Sequence, residues 1–533
     1  MGKLQERLEN GWADRLWYMF CFALFGLIDQ RRGSAEGSVQ MIFANMTGIV
    51  TGMLLLPSMK RRFWRTGVFK IWMIVCIPGT VAGCIIGKRI WLYPGQWYTA
   101  VINVAVIGCL LLYLVWDREE LRQKSKLSRG CFLAVACMLV LMQVSVNEAL
   151  WPGWFLLLFG CFYLIGIPEE KEGSFMQGML AGLILWFFVQ QIIAFGFRPY
   201  DYIYYRGLYS GITPNGVFYM IVFCAFTGAW LWSKSAGAGW LMRIFCFLLS
   251  AGSLGFQLLT GRRASLFGAI AAAVLAYMAY DIIMRKSFRH WIPQGILLAA
   301  CMVVLFPAVY GCVRYLPTIL HHPVWFQGEY DADTSVHSYD PWDSERYISF
   351  ERVVNENISR IVQVVGIELY IEDGHIRIIL PAQLSAQAAE EPGRSAENPF
   401  VVEGTDITNS SSIRKAIYAY HISHLNFTGH SKEDAGVYLQ DGFYGHAHNM
   451  FLQIAYDHGI VAGIIFLVWN LWCLIRLLLR KDMQGIIYAA FLVAILVYGC
   501  AEMAVTTGQI TMVILFIDYY FGMKKSILPM RAR

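Results

Sequence analysis

Long runs of apolar residues occupy most of the chain and are separated by short polar segments. Because an α-helix needs roughly 20 predominantly apolar residues to cross the hydrocarbon core of a bilayer, such runs predict membrane-spanning helices. Fourteen windows approach this length, near residues 16–28, 38–57, 71–87, 97–116, 131–147, 150–167, 176–197, 214–232, 240–259, 264–283, 292–312, 459–479, 485–505 and 508–522. The pattern predicts an all-α polytopic membrane protein with about 12–14 transmembrane helices.

The composition supports this fold class. Of the 533 residues, 57% are hydrophobic and 15% are charged, and the mean hydropathy is +0.49. These values exclude an ordinary soluble protein and the collagen, coiled-coil and disordered classes. The thirteen cysteines lie in or beside apolar windows without a C-x-x-C spacing, so nothing indicates a zinc ribbon or a thiol redox centre.

Lysines and arginines cluster in alternate loops, and this predicts the orientation of the chain. Short positively charged loops stay in the cytoplasm. The main clusters each follow an even-numbered window and consist of Lys60, Arg61, Arg62, Arg65 and Lys70, of Arg118, Arg122, Lys124, Lys126 and Arg129, of Arg285, Lys286 and Arg289, and of Arg476, Arg480 and Lys481. Both termini are therefore expected in the cytoplasm, and the N-terminal sequence shows no cleavable-signal pattern.

The windows divide the chain into three parts. Residues 1–312 hold predicted transmembrane helices 1–11, residues 313–447 form an extracytoplasmic domain, and residues 448–533 hold the last transmembrane helices and a cytoplasmic tail. The middle part has 9 Lys and Arg against 19 Asp and Glu, a net charge of −10, so the overall +6 leaves +16 for the rest. A basic inner face opposite an acidic outer domain suits contact with anionic membrane lipid, and it gives no nucleic-acid signal.

The extracytoplasmic part is predicted to contain secondary structure of its own. Its apolar spacing predicts an amphipathic helix over 344–364, and alternation around Asp373-Gly374 predicts a small β-hairpin. Residues 382–412, rich in Ala, Glu, Ser, Gly and Pro, are predicted to form a loose linker. A second helix is expected to start after the serines at 410–412 and to end near Gly429.

Arginines occur in predicted outward-facing segments, where the positive-inside trend disfavours them. Arg206 precedes the eighth window, Arg262 and Arg263 lie in a T-G-R-R-A-S turn, and Arg414 opens the second outer helix. Guanidinium groups bind phosphate oxygens in a bidentate manner, so these positions indicate an anionic ligand such as a lipid diphosphate headgroup. Interfacial snorkelling of the long side chains is the alternative explanation, above all for Arg262.

Ten of the eleven histidines lie between residues 321 and 458. Imidazoles titrate near neutral pH, so this concentration suits acid–base or hydrogen-bonding roles, although solvated surface histidines need no such role. The G-H-A-H-N segment holds His446, His448 and Asn449, and His421 lies seven residues after Arg414 on a predicted helix. A His-x-His pair also occurs in zinc sites, but no carboxylate or cysteine stands at a fixed offset, and no metal is predicted.

Together these segments resemble the O-antigen ligase and polysaccharide polymerase family of bacterial envelope proteins. That family has an Arg in an outer turn similar to T-G-S-R-G-A, an Arg opening a periplasmic helix that ends in Gly, and an H-x-H-N-x-x-L-Q segment leading into a transmembrane helix. The matching residues are Arg263, Arg414, Gly429, His448, Asn449, Leu452 and Gln453, and Arg206, Gly207, Pro214 and Asn215 resemble a further R-G and P-N element.

The resemblance spans roughly residues 206–480, with three departures. Arg262 stands where the family usually has Ser, and residues 320–405 have no counterpart in the pattern. Fourteen windows also exceed the usual dozen helices. These departures bear on which acceptor and partner the resemblance implies more than on which reaction it implies.

The resemblance implies a GT-C-like fold in the bacterial inner membrane. It implies transfer of a glycan from undecaprenyl diphosphate to an acceptor hydroxyl at the outer face, in cell-surface polysaccharide synthesis and without a cofactor. The expected partners are the lipid-linked glycan donor, a glycan or lipid acceptor, and membrane lipid. The expected site consists of catalytic His448, the diphosphate-binding Arg263, Arg414 and Arg206, and the supporting Asn449, His421, His446 and Arg262.

Several alternatives stay open at this level. His448 can act as a general base or as an orienting hydrogen-bond partner, and the enzyme can be a ligase or a repeat-unit polymerase. Outside the enzyme class, a polysaccharide or solute transporter has the same composition, and ionisable residues near the centres of spans would favour it. A glycoside hydrolase fits poorly, because it needs two carboxylates flanking the scissile bond and no convincing pair stands out.

Overall fold

The computed structural model describes residues 11–28, 46–90, 97–117, 125–197, 205, 207, 209, 212–320, 350–359, 368–372, 375–379, 410–432, 434, 436–439, 442–505 and 510–524. Its helices are α1 (Trp12–Ile28), α2 (Thr47–Leu55), α3 (Gly67–Ile90), α4 (Trp97–Trp116), α5 (Lys126–Gln143), α6 (Trp151–Ile165), α7 (Glu169–Phe197), α8 (Ile212–Ser235), α9 (Trp240–Leu259), α10 (Arg263–Met284), α11 (Trp291–Ile319), α12 (Phe350–Val353), α13 (Ser410–Ser423), α14 (Met450–His458), α15 (Ile460–Leu479), α16 (Met483–Gly499) and α17 (Ile510–Met523).

The apolar windows of the sequence coincide with helices. Nine helices in the described ranges are long and apolar enough to cross a membrane, and four shorter apolar helices accompany them. Each of the fourteen windows overlaps one of these helices or α1. The prediction of a polytopic, helical membrane protein is therefore confirmed.

The burial pattern separates lipid-facing helices from central ones. On α3, the side chains of Ile71, Ile74 and Val75 are 63%, 71% and 64% exposed, although all are apolar. Apolar side chains on the outside of a long helix indicate contact with lipid tails instead of water. By contrast, α16 and α17 are buried almost all round, and α16 packs along α8, α10, α15 and α17 at the centre of the bundle.

The short segments outside the bundle differ in part from their predictions. Within the predicted helix 344–364, the described residues form α12 and a π-turn at Val354–Ile358. Strands β1 (Glu368–Glu372) and β2 (His375–Ile379) pair antiparallel, with Glu372 opposite His375, and β3 (Val437–Leu439) pairs with β4 (Gly442–Tyr444). Most of the predicted linker 382–412 lies outside the described residues.

Helix α13 starts and ends earlier than the sequence predicted. It begins at Ser410 itself, so residues 410–412 are its first turn and not the end of a linker. It ends at Ser423, six residues before Gly429, because Asn426 offers the backbone another set of hydrogen bonds. The N–H groups of Thr428 and Gly429 donate to Asn426 Oδ1 at 3.0 and 2.6 Å.

The bundle has two chemically different ends. Chain direction along α15 and α16 puts Arg480 at one end and Glu502 at the other. At the first end, Arg480 and Lys524 both reach Glu172, at 3.5 and 2.7 Å. At the second end, α16 stops at Gly499 and not at 505 as its apolar window suggested, so Glu502 follows the helix. The candidate site lies at this second end.

Candidate functional site

Three segments that are distant in sequence meet at Glu502. Nη2 of Arg414 lies 3.4 Å and Nη1 of Arg262 lies 4.0 Å from Oε1 of Glu502. Nδ1 of His448 lies 3.2 Å from the other carboxylate oxygen, Oε2. The Glu502 side chain is only 8% exposed, whereas those of Arg262 and Arg414 are 36% and 38% exposed. Solvent therefore reaches the two guanidinium groups more readily than the carboxylate that joins them.

The cluster carries an excess of positive charge. Burial raises the pKa of Glu502, but the hydrogen bond with His448 and the positive charges of Arg262 and Arg414 outweigh it, so this pKa lies below its ordinary value. Glu502 is thus ionised at neutral pH, and it balances only one of the two guanidinium charges. The remaining positive charge favours a polyanionic ligand such as a diphosphate.

The turn between α9 and α10 fixes the position of Arg262. Thr260 follows α9, Gly261 has a φ of +66°, and Arg262 immediately precedes α10. The Ser265 hydroxyl donates to the Arg262 carbonyl oxygen at 2.9 Å. A Cβ at Gly216 of α8 would lie 2.6 Å from Ser265 Oγ and 3.0 Å from the Arg262 Cβ, so a larger residue there would displace the turn.

Helix α13 supplies Arg414 and also supports the loop that carries His448. Ile417, one turn after Arg414, is fully buried and anchors the helix. The Tyr418 hydroxyl donates to the His448 carbonyl oxygen at 3.2 Å. Helix α13 therefore positions both the Arg414 side chain and the loop that carries the His448 imidazole.

The backbone of the His448 loop is held in an uncommon conformation. His448 has a φ of +49°, in the left-handed region that few residues other than glycine adopt. Asn449 caps α14, since its Oδ1 accepts from the Leu452 N–H at 3.0 Å, and its Nδ2 donates to the Cys500 carbonyl oxygen at 3.0 Å. Asn449, expected to support the site, thus ties this loop to the segment that carries Glu502.

The contact with Glu502 determines which imidazole nitrogen of His448 can accept a proton. An ionised carboxylate only accepts hydrogen bonds, so Nδ1 of His448 must carry the hydrogen that lies between them. In the neutral imidazole, Nε2 then keeps its lone pair. The arrangement gives His448 the chemistry of an oriented base.

His446 lies beside this pair. The ring centroids of His446 and His448 are 4.1 Å apart. Burial lowers the pKa of His446, and the neighbouring His448 lowers it further. One ligand atom from each of His446, His448 and Glu502 lies within 4.8 Å of the others, so the three side chains could together hold a metal ion.

The other predicted site residues have different surroundings. Arg263 is the first residue of α10, and its neighbour Arg262 is the side chain with an ion pair to Glu502. His421 is buried on α13, with Nδ1 2.8 Å from the Ile417 carbonyl oxygen. Arg206 lies outside the described residues.

Two glycines allow the segment after α13 to pack closely against the boundary between α14 and α15. Gly429 has a φ of +83°, and a Cβ there would overlap the carbonyl oxygen of Asp457. Gly459 has a φ of +93°, and a Cβ there would overlap the carbonyl oxygen of Phe427. The N–H of Ile460 also donates to the Asn426 carbonyl oxygen at 2.9 Å. The two backbones approach so closely that only glycine fits at both positions.

Glu502 was not among the residues predicted from the sequence. It falls inside the apolar window 485–505, where it is the only charged residue. A charged side chain near the predicted outer end of a membrane span was the available signal, because such residues are costly unless they have a partner. Its partners could not be identified, since they come from three other segments.

Comparison of the chain with protein-family models, with curated proteins and with solved structures finds no match.

Proposed function

We propose that the protein is a glycosyltransferase that moves a glycan from undecaprenyl diphosphate to an acceptor hydroxyl at the outer face of the bacterial inner membrane. The sequence resemblance to O-antigen ligases and polysaccharide polymerases suggests this reaction. The observation that carries the proposal is the convergence of Arg262, Arg414 and His448 on Glu502 at one end of the helix bundle.

The arginines suit the donor side of this reaction. When an acceptor displaces the diphosphate at the anomeric carbon, negative charge accumulates on the leaving diphosphate. Guanidinium groups of Arg262 and Arg414, fixed by a turn and a helix, would stabilise that charge in the transition state. Arg263 and Arg206 remain candidates for further diphosphate contacts, as the family resemblance implies.

His448 and Glu502 suit the acceptor side. With Nδ1 donating to Glu502, Nε2 of His448 would accept the proton of the attacking hydroxyl. Glu502 stabilises the imidazolium that forms, in the way a buried carboxylate supports a catalytic histidine elsewhere. The released proton stays on His448 until solvent or the departing diphosphate takes it.

The test is a mass analysis of lipid-linked glycans in cells that lack the protein and are complemented with variants. His448→Ala is expected to lower transfer by about 10²- to 10⁴-fold, so lipid-linked glycan accumulates and surface polymer is lost. His424→Ala is the matched control, because His424 lies on the same outer part but is exposed, and it should behave as wild type. Normal polymer in the His448→Ala strain would overturn the proposal.

The same analysis separates a ligase from a polymerase. Full-length glycan that stays on the lipid indicates a ligase, whereas single repeat units on the final anchor indicate a polymerase. We favour the ligase, and the polymerase is the alternative within the enzyme class.

A transporter is the second candidate, and one buried residue favours it. Asp518 on α17 is fully buried, and neither of its carboxylate oxygens has a hydrogen-bond partner among the described residues. Intramembrane carboxyl groups of this kind often bind protons or ions in transporters. In that case Asp518→Asn would abolish flux of radiolabelled sugars in proteoliposomes and leave lipid-linked glycans unchanged, whereas a transferase shows no sugar flux to lose.

A further inference from the structure

No metal site was predicted from the sequence, because the His446-x-His448 pair had no third ligand at a fixed offset. The structure supplies one from a distant segment, since Glu502 lies beside His446 and His448 with ligand atoms of all three within 4.8 Å. We propose that these three side chains form a binding site for a divalent transition-metal ion of the zinc class.

The donor set matches the coordination chemistry of zinc. Two imidazole nitrogens and one carboxylate oxygen are a common set of protein ligands for an ion that keeps an open fourth position. In a tetrahedral zinc site the ligand atoms are about 3.4 Å apart, as follows from bond lengths near 2.1 Å. The ligand atoms therefore need to approach one another by at most about 1.4 Å.

A metal ion would replace one contact of Glu502 and keep another. Because His448 contacts Oε2 of Glu502 and Arg414 contacts Oε1, a metal ion on Oε2 would take the place of the His448 hydrogen bond and leave the arginine contact in place. Ligating carboxylates commonly keep such an outer partner, which fixes their orientation. The Tyr418 hydrogen bond to the His448 carbonyl oxygen holds the loop in the same way.

The two arginines also limit the affinity. They carry two positive charges close to the metal position, and Glu502 is the nearby anion that opposes them. Electrostatic repulsion therefore makes the site weaker than a structural zinc site with the same ligands. Removal of one guanidinium group should therefore increase the affinity for zinc, whereas removal of a ligand should decrease it.

Zinc binding has a functional consequence that rests on the proposed function. A zinc ion on His448 occupies an imidazole lone pair, so the metal-bound and proton-accepting forms of this residue exclude each other. Zinc is then an inhibitor of glycan transfer. The binding itself is independent of that reaction and can be measured without it.

The test is zinc titration of the full-length chain, purified in detergent and freed of metal by a chelator. We expect one zinc ion to bind per wild-type chain. In His446→Ala and in Glu502→Gln, the affinity for zinc should fall at least tenfold. Arg262→Gln is expected to bind about threefold more tightly. His424→Ala, a histidine outside the cluster, is expected to bind as wild type.

Cobalt(II) separates this site from adventitious binding by thiols, since Cys500 is exposed and two residues from Glu502. The proposed ligands give a cobalt spectrum without a sulfur-to-metal charge-transfer band. Thermal melting of each variant in detergent checks that it is folded. Absence of stoichiometric zinc in the wild type, or unchanged affinity in folded His446→Ala, would overturn the metal site. Neither result affects the transferase proposal, which depends on lipid-linked glycans.

Discussion

A single buried carboxylate connects the cationic groups of the candidate site. Glu502 contacts Arg414 and Arg262 through Oε1 and His448 through Oε2. In the proposed reaction, a diphosphate bound to the guanidinium groups would compete with Oε1 and would leave Oε2 in contact with the imidazole. The proposal thus gives the two oxygens separate roles, Oε1 on the donor side and Oε2 on the acceptor side.

This separation predicts how Glu502→Gln changes the kinetics of transfer. The amide keeps the size of the side chain but removes the charge that stabilises the imidazolium, so kcat should fall about 100-fold. The guanidinium groups lose their internal anion, so KM for the lipid-linked donor should stay constant or fall. Steady-state assays with purified donor and acceptor measure both values. A role that is only structural would instead raise KM and lower the melting temperature.

The sequence identified three of the four groups that meet at this point. Arg262, Arg414 and His448 stood out because charged and imidazole side chains are unusual beside apolar windows. Glu502 did not, since one glutamate in an apolar window has no partner that sequence spacing can reveal. The contact of Arg262 with Glu502 was also beyond the sequence, because it depends on the turn at Gly261 and on the start of α10.

At the scale of elements, the junction of α13 with α14 and α15 depends on backbone contacts. The sequence predicted a helix ending near Gly429 and, separately, an H-x-H-N segment leading into a transmembrane helix. The structure joins them, because each glycine lies against the backbone of the other motif. Contacts of this kind leave no hydrophobic pattern, so the sequence predicted a helix on each side but not the contact between them.

Gly429→Ala should destabilise this junction. The substitution forces a side chain into a left-handed residue and against the Asp457 carbonyl oxygen, at a cost of about 2–4 kcal/mol. The matched control is Gly160→Ala on α6, where an added Cβ meets nothing within 4 Å and alanine favours the helix. Thermal melting in detergent should show a lower midpoint for the first variant and an equal or higher one for the second.

His458 makes the same junction sensitive to acid. Burial lowers the pKa of His458 to about 4, and Ser145 Oγ lies 2.7 Å from its Nδ1. A lowered pKa contributes stability that is present above the unfolded value of about 6.5 and is lost as the pH falls towards 4. Between pH 7.5 and 5 this loss amounts to about 2 kcal/mol.

Melting temperatures measured across this pH range provide the check. The wild type should melt at progressively lower temperature from pH 7.5 to 5. His458→Asn keeps a group that can bond Ser145 but does not titrate, so its melting temperature should depend less on pH. An equal pH dependence in both proteins would assign the acid sensitivity to other groups.

At the scale of the whole molecule, two clusters of ion pairs lie at opposite ends of the helix bundle. One end holds the ion pairs of Glu172 with Arg480 and Lys524, and the other holds the cluster around Glu502. The distribution of lysines and arginines along the sequence predicts that the first end faces the cytoplasm. The proposed reaction requires the second end to face outward, because polysaccharide is assembled there.

Chemical labelling in spheroplasts tests this orientation with two positions at opposite ends. Cys500 is exposed beside Glu502, and Ser235 is exposed at the last residue of α8, which begins near Arg262 and ends at the other side of the bundle. The Ser235→Cys variant, a nearly isosteric change, provides a cysteine at the second position. In this variant a membrane-impermeant maleimide should label Cys500 in intact spheroplasts, and it should label position 235 only after the membrane is permeabilised. Peptide mapping by mass spectrometry distinguishes the two sites within one sample. The reverse labelling order would place the Glu502 cluster in the cytoplasm, where it could not act on an outward-facing glycan, and the transferase proposal would fail with it.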